Sequence, residues 1–143
     1  MTSFVLDASV AAKWMLPAKG EFLRLEAFRL LDAYGSGDVN LIVPDVFWAE
    51  CGNIVWKAVR QRRLDRVGAE QAIVSLMRRN IPTIPSLELL QKAVSIAFDF
   101  DCAVYDCLYV ALAVESKKQL ITADERLANA LAARFPVKWL GAL

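Results

Sequence analysis

The fold of this chain is decided by the nine residues Tyr105-Asp106-Cys107-Leu108-Tyr109-Val110-Ala111-Leu112-Ala113. Their length and composition predict a helix that is apolar on every face, and helices of that kind are normally buried. The helix nevertheless carries one carboxylate near its start, that of Asp106. A buried carboxylate is costly unless it is paired, hydrogen-bonded or bound to a metal. Asp106 therefore needs a partner of one of these kinds.

The composition of the chain limits the chemistry that it can perform. The 143 residues predict a single domain over 1–143, and 57% of them are apolar, which suits a sheet covered on both faces or a surface that pairs with another chain. The net charge of +1 gives no general attraction to nucleic acid. The chain has no histidine, so serine–histidine catalysis, cysteine–histidine catalysis and histidine-ligated zinc are excluded. Any hydrolytic chemistry must come from carboxylates.

The cysteines and the N-terminus predict a cytoplasmic protein. The three cysteines form no C-x-x-C pair and are interpreted as free thiols in a reducing compartment. Asp7 interrupts the first apolar run, so no signal peptide is expected. No segment approaches 18 uninterrupted apolar residues, and we expect no membrane partner.

Short apolar segments alternate with amphipathic ones along the chain, a pattern typical of α/β folds. Strands are predicted at 4–6, 41–43, 81–84, 120–122 and 137–140, and helices at 10–16, 21–34, 45–61, 65–80, 86–98, 105–113 and 124–134. Pro82 limits the third strand to an edge of the sheet. Ser9, Asp45 and Asp65 are predicted to cap the helices that follow them. The expected fold class is a three-layer α/β/α sandwich with a parallel sheet.

Four carboxylates occupy unusual positions in this pattern. Asp7 and Asp124 follow strands, Asp106 opens the buried helix, and Glu50 lies near the start of the helix after the second strand. In open parallel sheets the ligand site lies beyond the carboxyl ends of the strands, so these acids are expected to share it. Like charges this close raise one another's pKa unless a cation intervenes. Mg²⁺ or Mn²⁺ prefers such oxygen ligands and can activate water without a histidine base.

Each acid also has an ordinary explanation. Asp7 and Asp124 could cap helices, Glu50 could be a solvated helix residue, and Asp106 could interact with the dipole of its own helix. A single shared metal site explains all four positions together.

The segments that carry these acids match one protein family in order and across nearly the whole chain. They are Val5-Leu6-Asp7-Ala8-Ser9, Pro44 through Asn53 with Glu50, Tyr105 through Ala113, and Leu120-Ile121-Thr122-Ala123-Asp124. Together they resemble the PIN-domain family of metal-dependent ribonucleases, and more narrowly the VapC-like toxins of bacterial and archaeal toxin–antitoxin pairs.

The resemblance implies a set of functional residues and partners. It assigns Asp7, Glu50, Asp106 and Asp124 to a catalytic, metal-binding pocket and Ser9 and Thr122 to supporting hydroxyls. It also implies a five-stranded parallel sheet, a homodimer, and RNA hydrolysis to a 5′-phosphate and a 3′-hydroxyl. Many relatives carry a further acid just past the last one, whereas here Glu125 and Arg126 follow, so both one and two metal ions fit the pattern.

Basic residues offer candidate contacts for the RNA backbone. Lys13 lies one turn into the first helix after Asp7, and Lys57 and Arg60 begin a basic cluster at the end of the third helix. Asn53 continues the stripe from Glu50 and is predicted to support the site. The other members of the basic segments are Arg62, Arg63, Arg66, Arg78 and Arg79. Each could equally be a solvated residue near a helix end.

Several large apolar residues of the early helices are expected in the core or at an interface. These are Trp14, Met15, Phe22 and Trp48. The resemblance implies that these helices frame the groove that receives the antitoxin, so partial exposure here would indicate an interface.

The leading hypothesis is a Mg²⁺- or Mn²⁺-dependent endoribonuclease that acts as a toxin. The alternative is a non-catalytic PIN-like interaction or RNA-binding module whose acids bind metal weakly or not at all. Phosphoryl transfer of the haloacid-dehalogenase or receiver type is weaker, since Asp7-Ala8-Ser9 lacks the required D-x-D and no glycine-rich phosphate loop is present.

Overall fold

The computed structural model describes residues 2–143 and contains a five-stranded parallel sheet with the order β3-β2-β1-β4-β5. The strands are β1 (Thr2–Leu6), β2 (Val39–Pro44), β3 (Thr83–Ile84), β4 (Gln119–Thr122) and β5 (Val137–Trp139). The α/β class with a parallel sheet is therefore confirmed, and β3 lies at an edge as Pro82 requires.

Seven α-helices connect the strands within this range. They are α1 (Ala8–Met15), α2 (Arg24–Ser36), α3 (Val46–Arg60), α4 (Arg66–Met77), α5 (Leu90–Phe100), α6 (Val104–Ser116) and α7 (Glu125–Leu131). Two begin later than predicted. α2 starts at Arg24 because Leu23 adopts a left-handed conformation with φ of 59°, and α5 starts at Leu90 after a short 3₁₀ turn over Ser86–Glu88.

Helix α6 is the buried helix that the sequence predicts. Every residue from Cys107 to Ala113 is buried, and α6 packs on β1, β2 and β4. The strand at the centre, β1, is equally enclosed, with Val5 and Leu6 at 0% exposure. The central part of the sheet and α6 thus form the middle of the core.

The strand order reverses between β1 and β4. From β1 the chain builds outward to β2 and β3, then returns to place β4 on the other side of β1. The carboxyl ends of strands at such a reversal diverge and leave a crevice for ligands. Asp7 follows β1 and Asp124 lies two residues after β4, so the topology brings both acids to this crevice.

The helix caps differ in part from the prediction. Asp65 caps α4 by accepting a hydrogen bond from the Gly68 amide at 2.7 Å, as expected. Ser9 lies inside α1, not at its cap. The Asp45 side chain caps nothing and accepts a hydrogen bond from the Ser86 hydroxyl instead. The Asp45–Ser86 hydrogen bond joins two segments that are distant in sequence. Rules for local helix capping do not predict such a bond.

Two other expectations concern composition. The three cysteines are free, as predicted. Residues 2–143 include no helix long and apolar enough to cross a membrane.

Candidate active site

Asp7 lies at the base of the site, where β1 passes into α1. Its carboxylate oxygen Oδ2 accepts hydrogen bonds from Ser9 Oγ at 2.5 Å and from Thr122 Oγ1 at 2.8 Å. The residue is only 7% exposed. Burial raises the pKa of Asp7 and the charge of Asp124 adds to the rise, while the two hydroxyl donors oppose it.

The two supporting hydroxyls join the ends of β1 and β4. Ser9 Oγ accepts a hydrogen bond from the Ala123 amide at 2.9 Å, and Thr122 Oγ1 accepts one from the Asp124 amide at 3.0 Å. The two hydroxyl oxygens are 3.3 Å apart. Ser9 and Thr122 therefore hold Asp7 and the segment leading to Asp124 in a fixed relation, which is the supporting position expected of them.

Glu50 approaches the site from the second turn of α3. Its Oε1 accepts a hydrogen bond from the phenol of Tyr109 at 2.6 Å. Burial raises the pKa of Glu50, and the charges of Asp7 and Asp106 raise it further, whereas the Tyr109 bond lowers it. Glu50 is therefore within electrostatic reach of Asp7 and Asp106.

Tyr109 is a site residue that sequence reasoning missed. It lies on α6 and is 1% exposed, so its hydroxyl needs a buried partner. Burial is the main cause that raises the pKa of this phenol, which keeps it protonated as a donor. The available signal was a phenol in an otherwise apolar helix, three residues after Asp106.

Asp106 lies in the first turn of α6, within electrostatic reach of Asp7 and Asp124. The side chain is half-buried. Burial raises the pKa of Asp106, and the charges of Asp7 and Asp124 contribute to the rise. Asp7, Glu50 and Asp106 thus all ionise less readily than isolated carboxyl groups, because they are partly removed from water and lie near one another.

Asp124 caps a helix and also lines a cleft. It is exposed, and its Oδ1 caps α7 by accepting a hydrogen bond from the Leu127 amide at 3.1 Å. The ordinary capping explanation is therefore correct for one of its oxygens. Asp124 also lines a cleft together with Asp106, so the residue contributes to the site as well.

This cleft has a volume of about 350 Å³ and lies between the α5–α6 connection and α7. Asp106, Asp124 and the basic residue Arg126 contribute its polar groups near the acidic site. The remaining lining residues are Phe100, Asp101, Cys102, Ala103, Leu127, Ala130 and Leu131.

The donor set fits a hard divalent cation. All four acids offer carboxylate oxygens, and none of the ion pairs found within residues 2–143 includes any of them. Over the same residues, no group of three or more acidic or cysteine side chains is already arranged to hold an ion. The site therefore has the ligands that Mg²⁺ or Mn²⁺ prefers, but they would have to move closer together to bind one.

Two of the predicted substrate-binding residues, Lys13 and Arg60, contact other side chains of the protein. Lys13 donates to Glu21 Oε1 at 2.9 Å, and Arg63 binds the other oxygen of Glu21 at 2.8 Å. Lys13 is therefore already paired in this structure, and its contact with phosphate stays a prediction. Arg60 stacks over Trp56 at the far end of α3, about 15 Å along the helix from Glu50 at a rise of about 1.5 Å per residue.

Lys57 and Asn53 lie between these two ends of α3. Both are exposed. Asn53 is one turn from Glu50 and is the nearer of the two, so it stays a candidate for a supporting contact.

The large apolar residues of the early helices are mostly structural. The Trp14 indole donates to the Ala27 carbonyl at 2.7 Å, Met15 is 7% exposed, and the Trp48 indole donates to Thr83 at 3.0 Å. Phe22 differs, with 81% of its surface exposed.

Comparisons with known proteins agree with this fold. The model of the PIN domain family matches residues 4–131. Among solved structures, PAE2754 from Pyrobaculum aerophilum has a TM-score of 0.71 at 18% identity, over 99% of this chain and 85% of that chain. A toxin–antitoxin complex from Klebsiella pneumoniae has a TM-score of 0.64 at 15% identity, over 94% and 95% of the two chains. FitAcB from Neisseria gonorrhoeae has a TM-score of 0.61 at 18% identity, over 98% and 99%. No curated protein sequence matches significantly.

Proposed function

The chain belongs to the PIN domain family, and from this premise we propose that it is a divalent-metal-dependent endoribonuclease acting as the toxin of a toxin–antitoxin pair. One observation carries the proposal. Burial raises the pKa of Asp7, Glu50 and Asp106 at the strand ends, and the charge of at least one other acid of the site adds to each rise. No cationic side chain among residues 2–143 is ion-paired with these three acids. An arrangement that costs stability in this way fits a site that binds a cation.

Asp7, Glu50, Asp106 and Asp124 are the residues that would hold the ion, Mg²⁺ or Mn²⁺. When bound, such an ion supplies an activated water and neutralises charge on a phosphodiester. Ser9 and Thr122 orient the Asp7 carboxylate through its Oδ2, which leaves Oδ1 free of side-chain hydrogen bonds. Tyr109 orients Glu50 in the same manner through Oε1.

The raised pKa of Glu50 also suits proton transfer. Its Oε2 makes no hydrogen bond among the described residues, so it can accept a proton from the attacking water. Attack on phosphorus then breaks the P–O3′ bond, the leaving O3′ takes a proton from water, and the products are a 5′-phosphate and a 3′-hydroxyl. This chain has no histidine to perform the same step.

Substitution of the acids tests the proposed reaction. We expect Asp7→Asn and Asp106→Asn each to lower the rate of RNA cleavage by more than about 100-fold, because even outer-shell partners of catalytic metals contribute 10–100-fold. EDTA should abolish cleavage by the unmodified protein. Asp32→Asn, which removes an exposed acid of α2, is the matched control. Unchanged cleavage in EDTA, or in both site variants, would exclude this mechanism.

One observation favours a second candidate, a non-catalytic RNA-binding or interaction module. The acids within residues 2–143 do not already form a group that could hold an ion. Calorimetric titration with Mn²⁺ separates the two functions. Heat of binding that disappears in Asp106→Asn supports the nuclease, whereas a silent titration with intact RNA binding supports the module.

The proposed partner is an antitoxin that binds a groove between α3 and α4. This groove has a volume of about 540 Å³ and is lined mainly by apolar side chains, including Trp56 and Val74, which are 55% and 44% exposed. The groove expected on the earlier helices stays an alternative, because Phe22 there is 81% exposed, although Met15 is packed in the fold. The solved structure from Klebsiella pneumoniae is a toxin–antitoxin complex, which supports an antitoxin as the partner, and the apolar lining of the groove suits an apolar segment of that partner.

A charge placed in the groove tests this partner. We expect Val74→Glu to abolish co-purification with a small DNA-binding protein encoded immediately upstream. Leu25→Glu should leave it intact, because Leu25 is 60% exposed on α2 and does not line the groove. Equal binding by both variants would contradict the assignment.

The homodimer is likewise a proposal. Exposed apolar side chains remain on and near α5, with Leu87 at 83% and Phe98 at 84% exposure, and surfaces of this kind favour self-association. Light scattering on the purified chain should give twice the mass of 15.9 kDa. A single-chain mass at micromolar concentration would contradict it.

A further inference from the structure

We propose that the cleft between the α5–α6 connection and α7 is a nucleotide subsite, in which Phe100 stacks on an unpaired base and Arg126 contacts the adjoining phosphate. This inference rests on the proposed function, because it positions the RNA relative to the same acids. None of the predicted substrate residues Lys13, Lys57 or Arg60 lines this cleft.

The cleft is polar at one end. It follows α7 from its cap Asp124 to Leu131, a length of about 10 Å at a rise of about 1.5 Å per residue. Asp124, Arg126 and the half-buried Asp106 lie toward the beginning of that helix, next to the acidic site. A scissile phosphate has to lie at this end, since the reacting groups are there.

The cleft is aromatic at its other end. The Phe100 ring contacts the Phe135 ring edge-to-face with centroids 5.0 Å apart, and the guanidinium of Arg134 lies 6.0 Å from the Phe100 centroid. Both partners follow the last turn of α7. Phe100 therefore lies away from Asp124, yet 37% of its surface stays exposed beside the cleft.

This polarity matches a nucleotide. A base needs an apolar surface and a ring on which to stack, which Phe100 and the apolar residues Ala130 and Leu131 provide. Stacking on aromatic side chains is the usual recognition of unpaired RNA bases. The subsite therefore selects a single-stranded or looped segment, since a paired base could not enter it.

Arg126 supplies positive charge to the cleft. It is the one cationic side chain among the described lining residues, which also include the carboxylates of Asp101, Asp106 and Asp124. Without compensation these acids would repel a phosphate. The Arg126 side chain is exposed and belongs to none of the ion pairs found in residues 2–143, so it is available for this contact.

Equilibrium binding tests the subsite without cleavage. The Asp7→Asn protein serves as the background, because Asp7 does not line the cleft. Fluorescence anisotropy with a labelled single-stranded RNA octamer is then measured for Phe100→Leu and Arg126→Gln. Phe22→Leu, which changes an 81% exposed aromatic outside the cleft, and Arg29→Gln, which changes an exposed arginine of α2, are the matched controls.

Phe100→Leu should remove a contact to a base, whereas Arg126→Gln should remove a contact to a phosphate. Phe100→Leu should weaken binding by at least about fivefold, the lower limit for loss of one stacked base, and the loss should vanish on a probe with abasic sites. Arg126→Gln should weaken binding of both probes and reduce the salt dependence, log K against log salt, by about 0.7. Thermal unfolding of each variant shows that the fold persists.

Other outcomes have definite meanings. If the unmodified protein cleaves RNA but both variants bind like the controls, the subsite is wrong and the nuclease function stands. If Phe100→Leu weakens the abasic probe equally, the ring does not stack on a base and the assignment fails. If the Asp7→Asn background binds no RNA and the unmodified protein cleaves none, the subsite and the proposed function both fail.

Discussion

The phenol of Tyr109 links the most buried helix of the fold to the charge state of the acidic site. It donates to Glu50 at 2.6 Å, and this bond stabilises the ionised carboxylate against burial and against the charges of Asp7 and Asp106. The phenol and its acceptor thus determine together at which pH Glu50 becomes a base.

Tyr109→Phe tests this link. The substitution keeps the ring in the core but removes the donor, so the pKa of Glu50 should rise further. Because the proposed reaction uses ionised Glu50, the acidic limb of the pH profile of kcat/KM should move to higher pH. The rate should fall at pH 6, by no more than the roughly 100- to 10,000-fold that a general base typically contributes, and should recover at pH 9.

Tyr105→Phe is the control for this prediction, since Tyr105 lies on the same helix and is 64% exposed. A Tyr109→Phe profile that is lowered equally at every pH would mean that the phenol supports the fold but does not tune Glu50.

The acids of the site were predictable as residues, whereas their partners were not. Asp7, Asp106 and Asp124 follow strands or open a buried helix, and both patterns are local in sequence. The Tyr109–Glu50 bond joins residues 59 positions apart. The pairing of Lys13 with Glu21 likewise depends on the path of the loop between α1 and α2, which no local pattern specifies.

At the level of elements, apolar patterning predicts that α6 is buried, whereas backbone geometry determines where this helix ends. Its uninterrupted apolar residues predicted burial correctly. Its C-terminus is set by Lys117, which adopts a left-handed conformation with φ of 56°. The Lys118 amide then bonds the Ala113 carbonyl at 3.0 Å, closing the helix end. The late start of α2 has the same origin, a left-handed Leu23.

Lys117→Gly should stabilise the protein. Glycine adopts the left-handed conformation without the steric cost that a side chain incurs. The expected gain is about 0.5–1 kcal/mol, or about 1–4 °C in Tm for a chain of this size, measured by thermal unfolding. Lys118→Gly provides the matched control, because Lys118 has no positive φ and glycine there only increases the freedom of the unfolded chain. A loss of stability in both variants would show that the Lys117 side chain itself holds the helix end.

For the whole molecule, the topology concentrates negative charge that composition conceals. The net charge is only +1, yet the reversal of strand order between β1 and β4 gathers the acids at one crevice. The five-stranded parallel sheet could be expected from the family resemblance, and the edge position of the third strand from Pro82. The degree to which the acids approach one another could not, because it depends on rotamers and on the balance of repulsion against hydrogen bonding.

The raised pKa values have a direct consequence for stability. A group whose pKa is higher in the folded than in the unfolded state contributes stability that is fully present below the unfolded pKa and is lost as pH rises through the folded pKa. For Asp7, Glu50 and Asp106 the unfolded values are those of ordinary carboxyl groups, 3.8 for aspartate and 4.5 for glutamate. The ionised acids therefore destabilise the metal-free fold at neutral pH.

Asp106→Asn should consequently raise the Tm of the metal-free protein at pH 7.5, and this gain should shrink as the pH falls below the unfolded pKa of 3.8, where the carboxyl becomes protonated in both states. In the unmodified protein, Mn²⁺ at 100 times its Kd should restore about 2.7 kcal/mol, which corresponds to about 5–11 °C in Tm. The same addition should leave Asp106→Asn nearly unchanged, because the variant lacks a ligand. Asp32→Asn should respond to Mn²⁺ like the unmodified protein. Differential scanning calorimetry in EDTA and in Mn²⁺ measures all three proteins.

A Tm of Asp106→Asn that is lower than that of the unmodified protein in EDTA at pH 7.5 would mean that the acids are not under mutual repulsion. The electrostatic basis of the metal site would then be wrong.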